Sequence, residues 1–180
     1  HVTGIPVKLE VADPKPAEMM RVRHRLPAEP PLITLFGGGV EPQRVRRMVT
    51  MLLESAAPAT LVVVAGRNAD LTEALSDLSD GPQVQLRLLG KIDYVDDLVA
   101  ASDLVITKSG GLIVSEVLAR GVPLLLPTPL AGQECWNADY VIGAGAGLGY
   151  DTPRELAMAA ADLLATPSQR AAMSAMAASA

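Results

Sequence analysis

Residues 106–116, Ile-Thr-Lys-Ser-Gly-Gly-Leu-Ile-Val-Ser-Glu, run from an apolar stretch through a Ser-Gly-Gly turn into a helical period. Ser109 has the residue type of a helix N-cap, and Gly110 and Gly111 have no side chains, so an anion can approach bare backbone N–H groups. A phosphate there meets unsatisfied donors and the positive end of the helix dipole, worth about 0.3–1 kcal/mol and more when partly buried. Glu116 stands about one helical turn further on, which suits a carboxylate accepting from the paired hydroxyls of a ribose. The plainer alternative is a helix capped by Ser109 with Glu116 on its solvated face, and the segment alone leaves both readings open. Further glycine turns occur at Gly37-Gly38-Gly39, Gly66-Arg67-Asn68 and Gly132-Gln133-Glu134. None has the G-x-G-x-x-G spacing of a dinucleotide site, and the G-x-x-x-x-G-K-[ST] phosphate loop is absent. The pattern is that of an anion site assembled from several turns.

The rest of the composition removes other chemistries. The chain has 180 residues, a net charge of -5, 49% hydrophobic and 3% aromatic residues. That length fits one domain with a substantial core. Acidity with few rings argues against nucleic acid as a partner. The longest apolar runs, 61–65 and 122–126, fall far short of the roughly 18 residues of a spanning helix. The opening carries no basic-then-apolar leader, so the expectation is a cytoplasmic protein without a signal peptide. One cysteine, Cys135, excludes an internal disulfide, and two histidines, His1 and His24, leave little for a metal site or a catalytic triad. No cofactor is expected. Asp93, Asp96 and Asp97 read as caps near a helix start rather than as metal ligands. Cys135 reads as a small buried hydrophobe, Trp136 as core or cleft wall, and the methionines as packing or interface. The basic run from Arg21 to Arg25, including His24, reads as a solvated helix face, with contact to anionic lipid as the alternative.

The elements that position these turns alternate. Helical periods are predicted over 17–26, 42–55, 69–78, 94–101, 111–120 and 133–142, and two Ala-rich helices close the chain, the first from Pro153. Apolar strands are predicted over 32–36, 60–65, 84–89, 103–106 and 122–126, with a short last strand within 143–149. Strands apolar throughout must be covered on both faces, so the fold class is α/β: a doubly wound, Rossmann-like parallel sheet of about six strands. Ligands of such sheets bind beyond the carboxyl ends of the strands, where every glycine turn named above falls.

An ordered set of segments makes this pattern specific: Gly90-Lys91-Ile92-Asp93, residues 98–108, Ser109-Gly110-Gly111, Ser115-Glu116, Gly121-Val122-Pro123, and residues 129–134 with Asn137-Ala138. Together they resemble the nucleotide-sugar donor domain of GT-B glycosyltransferases, the family 28 C-terminal domain. Within that group the chain is similar to monogalactosyldiacylglycerol synthases, diacylglycerol glucosyltransferases and the N-acetylglucosaminyl transferase that forms lipid II. Residues 2–7 look like the crossover from the N-terminal domain of those enzymes, so residues 1–30 are expected to be crossover and first helix, and 1–180 one donor domain, half of a GT-B fold.

The resemblance implies roles residue by residue. Ile92 would meet the uracil of a UDP-sugar, Ser109, Gly110 and Gly111 would cradle its diphosphate, and Glu116 would hold its ribose. Gly132, Gln133 and Glu134 would face the sugar, with Asn137 behind them. Gly38 and Gly39 would stand in the first loop of the cleft; Arg67 and Lys108 would either add cations to the diphosphate or stand as exposed, solvated charges. The loop Pro-Leu-Ala-Gly-Gln-Glu is less polar than that of the peptidoglycan enzymes and favours the glycolipid branch. The acceptor-binding half, which supplies the general base in complete members, has no room in this chain, so the segment reads as excised from a longer one. A lipid acceptor and a membrane surface, at its inner face, are expected of the complete protein. The alternatives are a UDP-N-acetylglucosamine 2-epimerase, whose Arg and Thr-Glu-Arg-Pro run is missing after the fifth strand, and a non-catalytic nucleotide-sugar-binding subunit.

Overall fold

The structure, a computed structural model, describes residues 5, 7, 9–129 and 132–180. Six parallel strands stand in the order β3-β2-β1-β4-β5-β6: β1 (Leu32–Phe36), β2 (Ala59–Val64), β3 (Val84–Leu89), β4 (Leu104–Thr107), β5 (Leu124–Pro127) and β6 (Gly147–Tyr150). The helices are α1 (Ala17–Arg23), α2 (Pro42–Leu53), α3 (Ala69–Leu75), α4 (Val95–Ala101), α5 (Gly111–Ala119), α6 (Gln133–Gly143), α7 (Pro153–Ala165) and α8 (Pro167–Ser179). The order reverses between β1 and β4, and the crevice of a doubly wound sheet opens at such a switch point.

Continuous apolarity in the strands is explained by burial on both faces. Leu61 and Val63 of β2 pack among Val45, Met48 and Leu52 of α2 and Leu71 of α3. Their neighbours Val62 and Val64 pack on the opposite face with Met20 of α1 and Leu98 of α4. Further across, Leu124 and Leu126 of β5 meet Val114 and Val117 of α5 and Val141 of α6. Each such side chain contributes about 1.5–3 kcal/mol on leaving water. The last strand was expected only loosely, because its residues are small. Glycine is required at 147: a Cβ there would lie 2.6 Å from the Leu124 carbonyl oxygen, so the close β5–β6 pairing admits no side chain.

Several side chains depart from expectation. A 3-10 turn at Leu9–Ala12 precedes α1, and α1 stops at Arg23, with Arg25 at φ 53. Arg21 is buried rather than solvated: Nε donates to Ala101 O (2.9 Å), Nη1 to Ala28 O (2.6 Å) and Nη2 to Asp103 Oδ2 (2.6 Å). The same carboxylate oxygen accepts from Leu32 N at 2.7 Å, so this pair pins α1 to the start of β1. Asp96 and Asp97 are not caps, since Tyr94 holds that position on α4. They form ion pairs instead: Lys15 lies 2.6 Å from Asp96 and 2.5 Å from Asp97, and Arg120 lies 2.6 Å from Asp96. His24 stacks on Tyr94 at 4.1 Å and meets Asp97 Oδ2 through Nε2 at 2.8 Å. Of the methionines, Met20, Met48 and Met173 are core, whereas Met19, Met158 and Met176 are exposed.

Candidate functional site

Register brings the glycine turns to one level. Phe36 pairs with Val64 and with Thr107, and Val64 pairs with Leu89, so β1, β2, β3 and β4 end together at one edge of the sheet. The turns at Gly37, Gly66, Gly90 and Lys108 leave from that edge, and the turn before α6 leaves from the end of β5 beside them.

Helix capping separates these turns into closed and open ones. The first N–H groups of a helix lack intrahelical acceptors and must find others. At α2 the Glu41 carboxylate accepts from Gln43 N (2.8 Å) and Arg44 N (2.6 Å). At α3 Asn68 Oδ1 accepts from Leu71 N (3.0 Å), and α7 has a reciprocal Thr152–Glu155 box. At α5 the N-cap is Gly110, with φ -68 and ψ 133 and no side-chain acceptor. Ser109 therefore lies one residue before the cap, not at it. Its side chain is fully buried, and Oγ has no hydrogen-bond partner among the described residues. At α6 the N-cap is Gly132, at φ 87, again without a side-chain acceptor. The open N-termini of α5 and α6 are joined: Asn137 Nδ2 donates to Ser109 O at 2.8 Å, and Lys108 Nζ donates to Glu134 Oε1 at 2.5 Å. The stem of Lys108 crosses the first loop, its Cε 3.0 Å from where a Cβ of Gly39 would stand.

This arrangement gathers Gly39, Lys108, Ser109, Gly110, Glu134 and Asn137 in direct contact. The first N–H groups of α5 from Gly111 on lack intrahelical acceptors, and they converge there with a helix dipole and an ammonium, which is what an anion requires. The Gly110 N–H itself donates to Lys108 O at 2.8 Å. Sequence reasoning missed that Asn137 and Glu134 act as ties between loops; only their three-residue spacing on α6 hinted at a shared face. It also missed Arg44, which donates from α2 to Thr128 O in the β5 turn at 3.2 Å through both Nη atoms.

The glycosyltransferase family 28 C-terminal domain, compared as a family model, matches residues 32–180. The chain belongs to this family. It is 34% identical over 149 residues to the processive diacylglycerol beta-glucosyltransferase of Bacillus pumilus (strain SAFR-032), covering 82% of this chain and 38% of that one. It is 29% identical over 169 residues to the chloroplastic monogalactosyldiacylglycerol synthase 1 of Arabidopsis thaliana, covering 89% and 31%. The chain thus spans less than half the length of these curated relatives. Among solved structures, MurG of Acinetobacter baumannii superposes with a TM-score of 0.75 at 21% identity, over 94% of this chain and 50% of that one, which shows a shared fold.

The remaining site residues of this family 28 domain are placed less tightly. Arg67 is exposed, with no hydrogen bond or ion pair among the described residues, and Gln133 is exposed at the start of α6. Ile92 is half-buried and packs on the cluster that holds Val64 and Leu98. Glu116 is half-buried on α5. Gly38 has open space where a Cβ would stand. Gly111 does not: a Cβ there would lie 2.5 Å from Ile5 Cδ1, so this glycine admits the chain's own N-terminal segment. An apolar groove of about 370 Å³ borders that contact, lined by Ile5, Val114, Ser115 and Tyr140 among others. Trp136 is 75% exposed and so is not core, while Cys135 is half-buried. Residues 2–4 and 6 of the crossover, and Leu130 and Ala131 of the sugar loop, lie outside the described residues. Among the described residues no three His, Cys, Asp or Glu side chains gather to hold a metal ion, and no helix is long and apolar enough to cross a membrane.

Proposed function

We propose that this domain binds the UDP-sugar donor of a glycosyltransferase acting on a diacylglycerol-type lipid. The single observation that carries the reading is the uncapped N-terminus of α5, with the unpartnered buried Ser109 Oγ behind it and Lys108 beside it. The N–H of Gly110 is turned to Lys108 O at 2.8 Å, and the lack of a side chain at Gly110 leaves the approach clear. The diphosphate accepts from the first helical N–H groups at Gly111 and Leu112 and from Ser109 Oγ, with Lys108 as counter-charge and Arg67 swinging in from the β2 turn. Glu116 accepts from the ribose, Ile92 lies along the uracil, and Gly132, Gln133, Glu134 and Asn137 surround the hexose. Gly38 and Gly39 leave the first loop open to the cleft.

Transfer breaks the bond between the anomeric carbon and the diphosphate oxygen while an acceptor hydroxyl forms the new one and gives up its proton. Negative charge grows on the departing diphosphate, so donors already aimed at it stabilise the transition state more than the ground state. The acceptor lipid, the general base and the contact with a membrane surface belong to the part of the relatives' length that this chain does not span. The segment up to residue 30 serves as crossover and first helix, and residues 1–4, 6 and 8 of it lie outside the described residues. The names of the curated relatives favour a lipid glycosyltransferase over an epimerase or a free binding subunit.

Calorimetric titration tests the reading. UDP binds and ADP binds much more weakly, and Glu116→Ala weakens UDP by about 1–3 kcal/mol, the scale of a lost charge-assisted hydrogen bond. Equal affinity for UDP in wild type and variant removes the ribose role from Glu116.

A further inference from the structure

Lys108 and Glu134 are placed so that a ligand can divide them. Their ion pair bridges the uncapped N-termini of α5 and α6, and the side chains remain 37% and 32% exposed, open to a molecule arriving at that edge. The Lys108 stem passes 3.0 Å from the Cβ position of Gly39 and 3.7 Å from that of Gly110, so its ammonium lies within reach of the α5 turn as well as of Glu134. Among the described residues, the side-chain hydrogen bond of Glu134 is the one to Lys108. A diphosphate seated on the α5 turn would therefore compete with Glu134 for the same ammonium, and would bring more negative charge to the contest.

The carboxylate left behind is then a bare anion next to a larger one. Like charges at such range repel, and a carboxylate that accepts no hydrogen bond loses further through partial desolvation. Hexose hydroxyls relieve both deficits, because they donate to the carboxylate and stand between it and the phosphates. UDP without a sugar offers neither. We infer that the donor diphosphate takes Lys108 from Glu134, and that the freed Glu134 carboxylate makes the site discriminate UDP-sugar from UDP. The inference rests on the donor-site reading above and adds to it a reason for the spent nucleotide to leave. It assigns Glu134 a cost toward UDP, where a simple sugar contact would leave UDP binding untouched.

The test is calorimetry with UDP, UDP-glucose and UDP-galactose on wild type, Glu134→Gln and Glu134→Asp, with melting temperatures to verify folding. Glu134→Gln keeps the shape and removes the charge, so UDP binds about threefold more tightly or better, and the preference for the UDP-hexose narrows by at least as much. Glu134→Asp keeps the charge and does not reproduce the gain. UDP affinity that is unchanged or weaker in Glu134→Gln overturns the exchange, as does an equal gain in Glu134→Asp. A wild type that binds none of the three ligands overturns the donor-site reading itself, which separates the two failures.

Discussion

At the scale of single residues, the first loop shows how little a glycine's company in sequence says about its task. Gly38 and Gly39 are adjacent, yet a Cβ at Gly38 meets nothing within 4 Å, whereas Gly39 has φ 75 and the Lys108 stem against it. Gly38→Ala should therefore leave stability within about 0.5 kcal/mol of wild type. Gly39→Ala forces a left-handed conformation on a side chain and displaces Lys108, and should cost about 1–2 kcal/mol together with a loss of UDP affinity. Urea unfolding and UDP titration of the pair check this; equal behaviour of the two variants would show that Lys108 does not depend on the first loop. Gly111 teaches the same lesson. Its place in the Ser-Gly-Gly turn suggested room for phosphate, but its Cα faces Ile5, so a valine there disturbs the N-terminal segment as well as any ligand.

At the scale of elements, the sequence expectations for strands and helices match the structure to within a few residues, because apolar runs bounded by glycine and proline have few other solutions in a parallel sheet. What periodicity could not reveal is which polar side chains join elements. Arg21, Asp96, Asp97 and Arg120 look like surface charges in sequence, yet they fasten α1, α4, α5 and the segment before them. In the site, likewise, Lys108 and Glu134 were legible as separate contacts but not as a pair, since their contact depends on how α6 docks beside α5. Burial raises the Asp96 and Asp97 carboxyls, but hydrogen bonds from Arg120 and Lys15 to Asp96, and from Lys15 and His24 to Asp97, outweigh it and hold both below the ordinary 3.8. A depressed carboxyl contributes stability above its unfolded value, and that contribution is lost as pH falls through the folded value. Wild type should consequently lose more stability than Asp97→Asn when the pH is lowered from 7 to about 3. Parallel acid limbs in chemical denaturation would remove Asp97 from the account.

At the scale of the whole molecule, the chain spans less than half the length of its curated relatives, and the proposed division of labour follows from that. Donor binding needs only the carboxyl edge of this sheet, whereas transfer needs an acceptor hydroxyl in line with the anomeric carbon and a base for its proton. His24, the one histidine among the described residues, is committed to Tyr94 and Asp97 beside α4. Positioning of the acceptor is worth about 7–11 kcal/mol, so the 180-residue chain should release no UDP from UDP-glucose or UDP-galactose in the presence of diacylglycerol micelles. Lipid-dependent release would place the base within this domain. The central claim, that the open N-terminus of α5 receives the donor diphosphate, is tested most directly by following backbone amide resonances of the isotope-labelled chain during titration. Addition of UDP should shift the Gly111 and Leu112 amides most strongly, and uridine, which lacks the phosphates, should leave them in place. Saturable UDP binding that leaves those amides unmoved would contradict the account.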